Sequence, residues 1–414
     1  MTQESLTEKL ATHLLRPVDE ATRQRARLHL LDWLGCVAGA RESEVAALQK
    51  NYQEANNASN CAWLGNVLEM DDIHRSSILH PGPVIWPALV VGLDYRMEDV
   101  LNAAVRGYET TIAIGSTFDQ HHYAFFHNTS TAGNFGAAAA VADLFGGEPE
   151  VLTSAMGLAG SVTGGLWQMR HESGMTKQWH TANVLTTGGS AGFYASHGAT
   201  GPRFILEGPQ GLYAATCKNP KPMTFPDQWR IHDVSFKPWG ACRHAHPAID
   251  AALELKAKLG HLDGEIQVET YADAITFCDR PDPETVLDAK FSLQHAVALV
   301  ATRGVPQLVD FESEAISAMA SDRSRVSVAE NRDITARYPD HYGARVTCAG
   351  ETVELVDTLG DPERPLSRDG VIAKARALIA WGGLAECEAD RAIELALDGD
   401  DVRAIHAMLE DWLS

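Results

Sequence analysis

"IQVETYADA", residues 266–274, decides the fold, because here a chain that reads helix after helix first changes its period. Ile266, Val268 and Thr270 alternate with polar neighbours, the two-residue repeat of a half-buried strand. "RVSVAEN" (325–331), "RVTCAG" (345–350) and "TVELVDT" (352–358) are likewise short, β-branched and partly alternating. Two helical segments lie among these strands, "PETVLDAKFSLQHAVALVATRG" (283–304) and "PQLVDFESEAISAMA" (306–320). Towards the N-terminus, residues 1 to about 60 read as helices: Pro17 closes the first, and Leu28, Leu31 and Leu34 recur at helical spacing in the second. Residues 84–118, "TAGNFGAAAAVADLFG" (131–146) and "VLTSAMGLAGSVTGGLW" (151–167) continue the helical theme, and their Ala and Gly let backbones approach closely. Beyond the Pro-rich connector "DPERPLSRDG" (361–370), three helical segments close the chain. The order helical, α+β, helical predicts a mainly α fold: a large discontinuous helical domain, residues 1–230 and 366–414, with a smaller α+β domain inserted at 231–365.

Bulk properties exclude several classes of function. Thirty-four Lys and Arg against 55 Asp and Glu leave a net charge of −21, the wrong sign for nucleic acid or an anionic membrane. A small acidic substrate stays compatible, since a pocket can oppose the global potential. No apolar run approaches the roughly 20 residues of a membrane span, and "MTQESLTEKLATHLLRP" lacks the apolar core of a signal peptide. Seven scattered cysteines form no CxxC pair, which points to reduced thiols in a cytoplasmic enzyme. Neither a GxxxxGK[ST] phosphate loop nor a GxGxxG after a strand is present, so nothing calls for a nucleotide cofactor.

Four stretches carry candidate chemistry. "NVLEMDDIHRSSILHPGPVIWP" (66–87) holds Glu69, Asp71, Asp72, His74 and His80; carboxylates beside imidazoles suit acid–base work, a metal, or mere capping. On a helix, Asp71 and His74 would share a face. In "HHYAFFHNTSTAGNFGAAAA" (121–140), His127 precedes a hydroxyl-rich turn and a helix expected from about Thr131, whose start can be capped by hydroxyls or hold an anion. "HESGMTKQWHTANVLTTGG" (171–189) places Lys177 and His180 three apart on one helical face, where a partly buried Lys can act as acid or base or hold a carboxylate. "SFKPWGACRHAHPAIDA" (235–251) crowds Lys237, Arg243, His244 and His246 at the entrance of a helix opened by Pro247. The helix dipole already makes that place positive, so such crowding makes sense where an anion sits. The HxH of this turn admits a metallohydrolase reading, and Cys242 beside His244 a weak nucleophile reading.

Taken in order, these stretches resemble the MmgE/PrpD family, whose members include 2-methylcitrate dehydratase, cis-aconitate decarboxylase and iminodisuccinate epimerase. The resemblance rests on "RLHLLDWLGCVAGA" (27–40), "EMDDIHRSSILHPGPVIWPAL" (69–89), "FHNTSTAGNFGAAAA" (126–140), "GMTKQWHTANV" (174–184) with "GPRFILEG" (201–208), "FKPWGACRHAHPAIDA" (236–251) and "AKFSLQHAVA" (289–298). It implies a helical domain built from both chain ends, an inserted α+β lid domain, a homodimer, and a cofactor-free site without metal in the cleft between the domains. Carried over by motif, His80, His127, Lys177, His180 and Lys237 would line that site with Asp71 or Asp72 nearby, and His244 and His246 belong to the same turn. The chain departs from the family pattern at Glu69, where Asp is usual, at Ile73, where Thr is usual, and at His295, where Tyr is usual.

Together these features predict a cofactor-independent lyase, of dehydratase type, acting on a small di- or tricarboxylate. His127 or Lys177 would abstract the proton alpha to a carboxylate, His80 would assist departure of hydroxide, and Lys237 and Arg243 would hold carboxylates. In an epimerase variant a group on the opposite face, such as His295, would return the proton. A metal-dependent hydrolase is the alternative from a different class.

Overall fold

The structure is a computed structural model that describes residues 4–50, 57–91, 95–172 and 174–414. The parts of the helical readings that cover 51–56 and 92–94, and Ser173 in the third candidate stretch, lie outside the described residues. The chain separates into two compact units. Unit 1 comprises Met1–Val67, Asp71–Val234 and Arg368–Ser414; unit 2 comprises Leu68–Met70 and Ser235–Ser367.

Unit 1 is helical among its described residues. Its first helix, Leu6–Leu14, starts at a capping box in which Ser5 and Glu8 satisfy each other's backbone amides. The next, Glu20–Gly39, is capped by Asp19, which accepts from the Thr22 amide at 2.8 Å. That helix buries residues all round, with Leu30, Leu31, Trp33 and Leu34 enclosed, so it runs through the core rather than over it. It packs on Arg368–Trp381, which brings the two ends of the chain together, and the Lys374 ammonium lies 2.5 Å from the Asp32 carboxylate.

The closest helix pair is Met97–Gly115 against Asn128–Leu144. A β-carbon on Gly136 would come within 2.8 Å of the Gly107 carbonyl and run into the Thr111 hydroxyl, so only glycine permits this approach. Asn128–Leu144 begins three residues earlier than its sequence predicts, because His127 takes the extended conformation of an N-cap. The expected hydroxyl cap does not form. The helix expected through 151–167 stops at Gly160, and Gly165, five residues on, adopts a φ of +106° that helical backbone cannot contain. Trp167–Arg170 then makes a single 3₁₀ turn. Thr176–Val184 continues into a π-turn, Leu185–Gly189, before Ser190–Ser196 resumes as an α-helix.

Unit 2 combines helices with one four-stranded sheet. Its strands β1 (Ile266–Thr270), β2 (Val326–Glu330), β3 (Ala344–Cys348) and β4 (Glu351–Leu355) lie in the order β2-β1-β3-β4. β1 runs parallel to β2 and antiparallel to β3, with Val268 opposite Val328 and Val346. Ala349 and Gly350, both with positive φ, form the two-residue turn that joins β3 to β4. Ile266, Val268, Ala344 and Val346 face a core shared with the helices His246–Leu259 and Leu293–Arg303. The strand reading of "YADA" is corrected: pairing ends at Thr270, and Ala272–Cys278 is a helix. The segment 283–304 splits at Ser292, whose hydroxyl accepts the His295 amide at 3.0 Å and starts a new helix. Among the described residues no helix is long and apolar enough to cross a membrane.

Candidate functional site

In unit 1 the centre is His127. Its amide donates to the Gly165 carbonyl at 2.8 Å, so the turn 163–165 fixes the start of Asn128–Leu144. There is no room for a side chain at Gly165, where a β-carbon would lie 2.7 Å from Ser130. The His127 ring is buried against Trp167, with centroids 4.5 Å apart, and its Nδ1 lies 3.2 Å from Nδ1 of His180. His180 and Lys177 come from Thr176–Val184, the predicted i, i+3 pair on one helix. The Arg170 guanidinium stacks over Trp167 at 4.1 Å and Tyr123 at 4.6 Å.

Burial first, then the positive charge of His180, Lys177, His80 and Arg170, holds the His127 imidazole well below its usual pKa. Burial lowers His180 as well. At neutral pH the buried His127 is therefore a neutral imidazole. A cavity of about 480 Å³ opens beside it, lined among others by Ser130, Gly165, Gln168, Trp179, His180 and Asn183.

The segment 66–87 reaches the same place by a different geometry from the one its spacing predicts. Asp71 and His74 do not share a helical face, because residues 71–81 form a loop closed by a bridge between His74 and Leu79. His74 accepts the Ser77 amide at 3.3 Å, and burial, with Arg230 and Arg75, pushes its pKa down to about 3. Instead, Asp71 pairs with His80, its Oδ2 lying 2.7 Å from Nδ1. The His80 amide donates to the Thr129 hydroxyl at 3.0 Å, which ties the loop to the helix that starts at His127. Asp72 turns away, buried, and accepts from the Gly82 amide, the Tyr108 hydroxyl and His29. Burial pushes its pKa up to about 6 against those hydrogen bonds. The structure thus gathers Asp71, His80, His127, Lys177 and His180 within unit 1.

The cationic turn of unit 2 is arranged otherwise. Arg243 forms a buried ion pair with Asp361, and its Nη1 lies 3.3 Å from His246 Nδ1. His246 Nε2 meets the Ala241 carbonyl at 3.0 Å. His244 bonds the Tyr271 hydroxyl at 2.8 Å and stacks on Phe277 and Tyr342. An anion does stand at this helix entrance, the Asp361 carboxylate of the same unit. Lys237 is fully enclosed, with Nζ 3.8 Å from the Glu69 carboxylate, and Glu69 itself holds a φ of +57°. His295 engages both ring nitrogens, Nε2 with the Asp310 carbonyl at 2.9 Å and Nδ1 with Arg323 at 3.4 Å. Burial, ahead of its neighbours, lowers its pKa to about 4. His295 is thereby held inside unit 2 by contacts at both ring nitrogens.

Among the described residues, the His, Cys, Asp and Glu groups close enough to share one cation are His341, Asp357 and Glu363 of unit 2. None of the seven cysteines is in a disulfide. Sequence reasoning missed Tyr108, Thr129, Trp167 and Asp361. Their partners lie far along the chain, 118 positions in the case of Arg243 and Asp361, and no local pattern signals them.

Residues 45–224 match the MmgE/PrpD N-terminal domain, and residues 239–399 match the MmgE/PrpD C-terminal domain. The chain belongs to the MmgE/PrpD family. The N-terminal MmgE/PrpD match contains every residue gathered around His127. Two curated relatives are similar to it. The cis-aconitate decarboxylase-like protein oryM of Aspergillus oryzae is 29% identical over 215 residues, 44% of this chain and 44% of that protein's length. The cis-aconitate decarboxylase of Homo sapiens is 24% identical over 357 residues, 74% of this chain and 72% of that protein.

Proposed function

We propose that the protein is a cofactor-independent lyase that removes the proton alpha to a carboxylate of a small di- or tricarboxylate and expels hydroxide from the neighbouring carbon. The observation that carries this reading is the buried, neutral His127 imidazole, 3.2 Å from His180 and within the field of Lys177 and Arg170. Such a base takes a proton without first losing one to water, and the cations around it favour the negative charge that then develops on the substrate. The α-proton passes to His127 and the electron pair stays on the α-carbon. It then forms the double bond as the β-hydroxyl leaves as water, with a proton from His80. Asp71 supports His80 in that role by holding the ring at its Nδ1 side. Lys177 and His180 hold substrate carboxylate or enolate oxygens.

Decarboxylation is the second reading, favoured by the names of the two relatives. There the same cations would stabilise the carbanion left by carbon dioxide, and His127 or His80 would return a proton to it. The epimerase variant needs a proton donor on the opposite face, and His295, the residue considered for that task, has both ring nitrogens engaged in its own unit. The dimer and the cytoplasmic setting are part of the same reading; sedimentation and fractionation check them.

Proton NMR in D₂O tests the reaction. Purified protein is incubated with methylcitrate, citrate, cis-aconitate, malate and the iminodisuccinate stereoisomers. Deuterium entering an α-carbon, with loss of water, supports the dehydratase; loss of carbon dioxide supports the second reading. A folded protein that exchanges no proton and turns over none of these acids sinks both. His127→Gln should lower the rate by about 10²–10⁴-fold, the usual share of a general base.

A further inference from the structure

The Asp71–His80 pair sits on a loop whose two ends meet at one carboxylate, that of Asp72. Asp72 Oδ1 accepts the amide of Gly82 at 2.8 Å, which closes the loop from 72 to 82. Its Oδ2 accepts the Tyr108 hydroxyl at 2.7 Å and contacts His29 Nδ1 at 2.8 Å, fastening the closed loop to Met97–Gly115 and Glu20–Gly39. Trp86, in the helix that follows the loop, donates its indole N–H to the Tyr108 hydroxyl at 3.0 Å, so the single phenolic proton is committed to Asp72. Asp72 and Tyr108 are fully or almost fully enclosed.

A second feature shows how tightly the arrangement is built. A β-carbon on Gly82 would fall 2.7 Å from Asp72 Oδ1 and 3.0 Å from the Tyr108 hydroxyl. Both lie inside normal contact, and neither group can retreat without giving up a hydrogen bond. Asp71 adjoins one end of this clasp and His80 stands two residues before the other, so their 2.7 Å contact is set by how the ends are held.

We propose that Asp72, together with Tyr108 and His29, is a positioning group that fixes the orientation and tautomer of the His80 imidazole through the closed 72–82 loop. Asp72 is a positioning residue, not a catalytic one: its oxygens face the interior and reach His80 only through the backbone. The functional weight of the inference rests on the acid role given to His80 above. The geometric claim stands apart from it and is read without substrate.

The experiment observes the side-chain nitrogens of His80 by ¹⁵N NMR in the full chain, assigned by comparison with His80→Gln, alongside thermal melting. In its neutral form wild-type His80 should show a single tautomer with the proton on Nδ1, toward Asp71; the acid of the reaction is the same ring carrying a second proton on Nε2. Gly82→Ala and Tyr108→Phe, which leave Asp71 and His80 untouched, should give a mixture of tautomers. Asp72→Asn keeps one acceptor oxygen and should lie between them and wild type. Where turnover is measurable, the first two variants should lower kcat by about tenfold or more while KM holds, the cost of a small misplacement of an acid. A fall in melting temperature with an unchanged His80 tautomer in folded Tyr108→Phe would overturn the proposal and leave Asp72 as a structural link only. Loss of wild-type turnover on every acid tested, with the tautomer shift intact, would sink the lyase reading and not this one.

Discussion

Lys177 sets the protonation of a residue it does not need to touch. Its positive charge, added to burial, depresses the His127 pKa, so removing that charge must raise it. The rate should therefore lose its acid limb only well below pH 6.5 in the wild type. In Lys177→Met the limb should move to higher pH, beyond any loss of maximal rate, as pH–rate profiles of kcat/KM will show. A limb that moves the other way, or stays fixed, removes Lys177 from the field around His127. The site residues of unit 1 were legible because each sits in a short motif with its own chemistry: Asp71 and His80 by a turn, His127 before a helix, Lys177 and His180 at i, i+3. The direction of a side chain was not. Asp71 and Asp72 are neighbours of one type, and only the fold sends one to His80 and the other to Tyr108 and His29. Arg243 shows the same limit: its partner, Asp361, stands in a stretch that reads as a linker.

The helix pair Met97–Gly115 and Asn128–Leu144 works as one block that presents His127 at its edge. Gly136 faces Gly107 with no spare volume, and the neighbouring Thr111 hydroxyl is already bonded to the Gly107 carbonyl at 2.8 Å. Gly136→Ala should therefore cost about 1–3 kcal/mol through overpacking, measured by urea unfolding, although alanine is the better helix former. A neutral or stabilising result would mean that the helices can part, and that the Ala and Gly content there is incidental. At this scale the sequence spoke clearly about type and poorly about ends. All four strands of unit 2 were readable from alternation. The end of β1 at Thr270 and the stop at Gly160 depend on tertiary partners, which periodicity does not contain.

At the scale of the whole molecule, among the described residues, histidines with a lowered pKa outnumber acids with a raised one, and that fixes the sign of the acid response. His13, His122 and His295 are lowered to about 4 and His74 to about 3, mainly by burial, and His29 and His127 are likewise held well below their usual value. Each favours the folded state fully above about pH 6.5 and loses that contribution as the pH falls from there toward its folded value. Asp32 and Asp72, raised to about 6, and Asp143, also raised by burial, act oppositely and gain stability on acidification, but the lowered histidines, His180 and His232 among them, are more numerous. Chemical denaturation should thus show stability falling between pH 6.5 and 4; a rise over that interval would mean the histidines take up protons without unfolding. Lys374→Met should cost about 3–5 kcal/mol at pH 7, because it leaves Asp32 buried without its partner, and that loss should shrink on acidification. The same pair carries a consequence for how the protein is made. Asp32 belongs to the central helix of unit 1, yet its countercharge is synthesised 342 positions later, after all of unit 2. As the ribosome works, unit 2 can complete itself first, while the earlier-made helices wait with an open seam and an unmatched carboxylate. The helix Arg368–Trp381 closes that seam when it emerges, so a pause or truncation ahead of Arg368 would leave Asp32 without its countercharge and one side of the central helix uncovered.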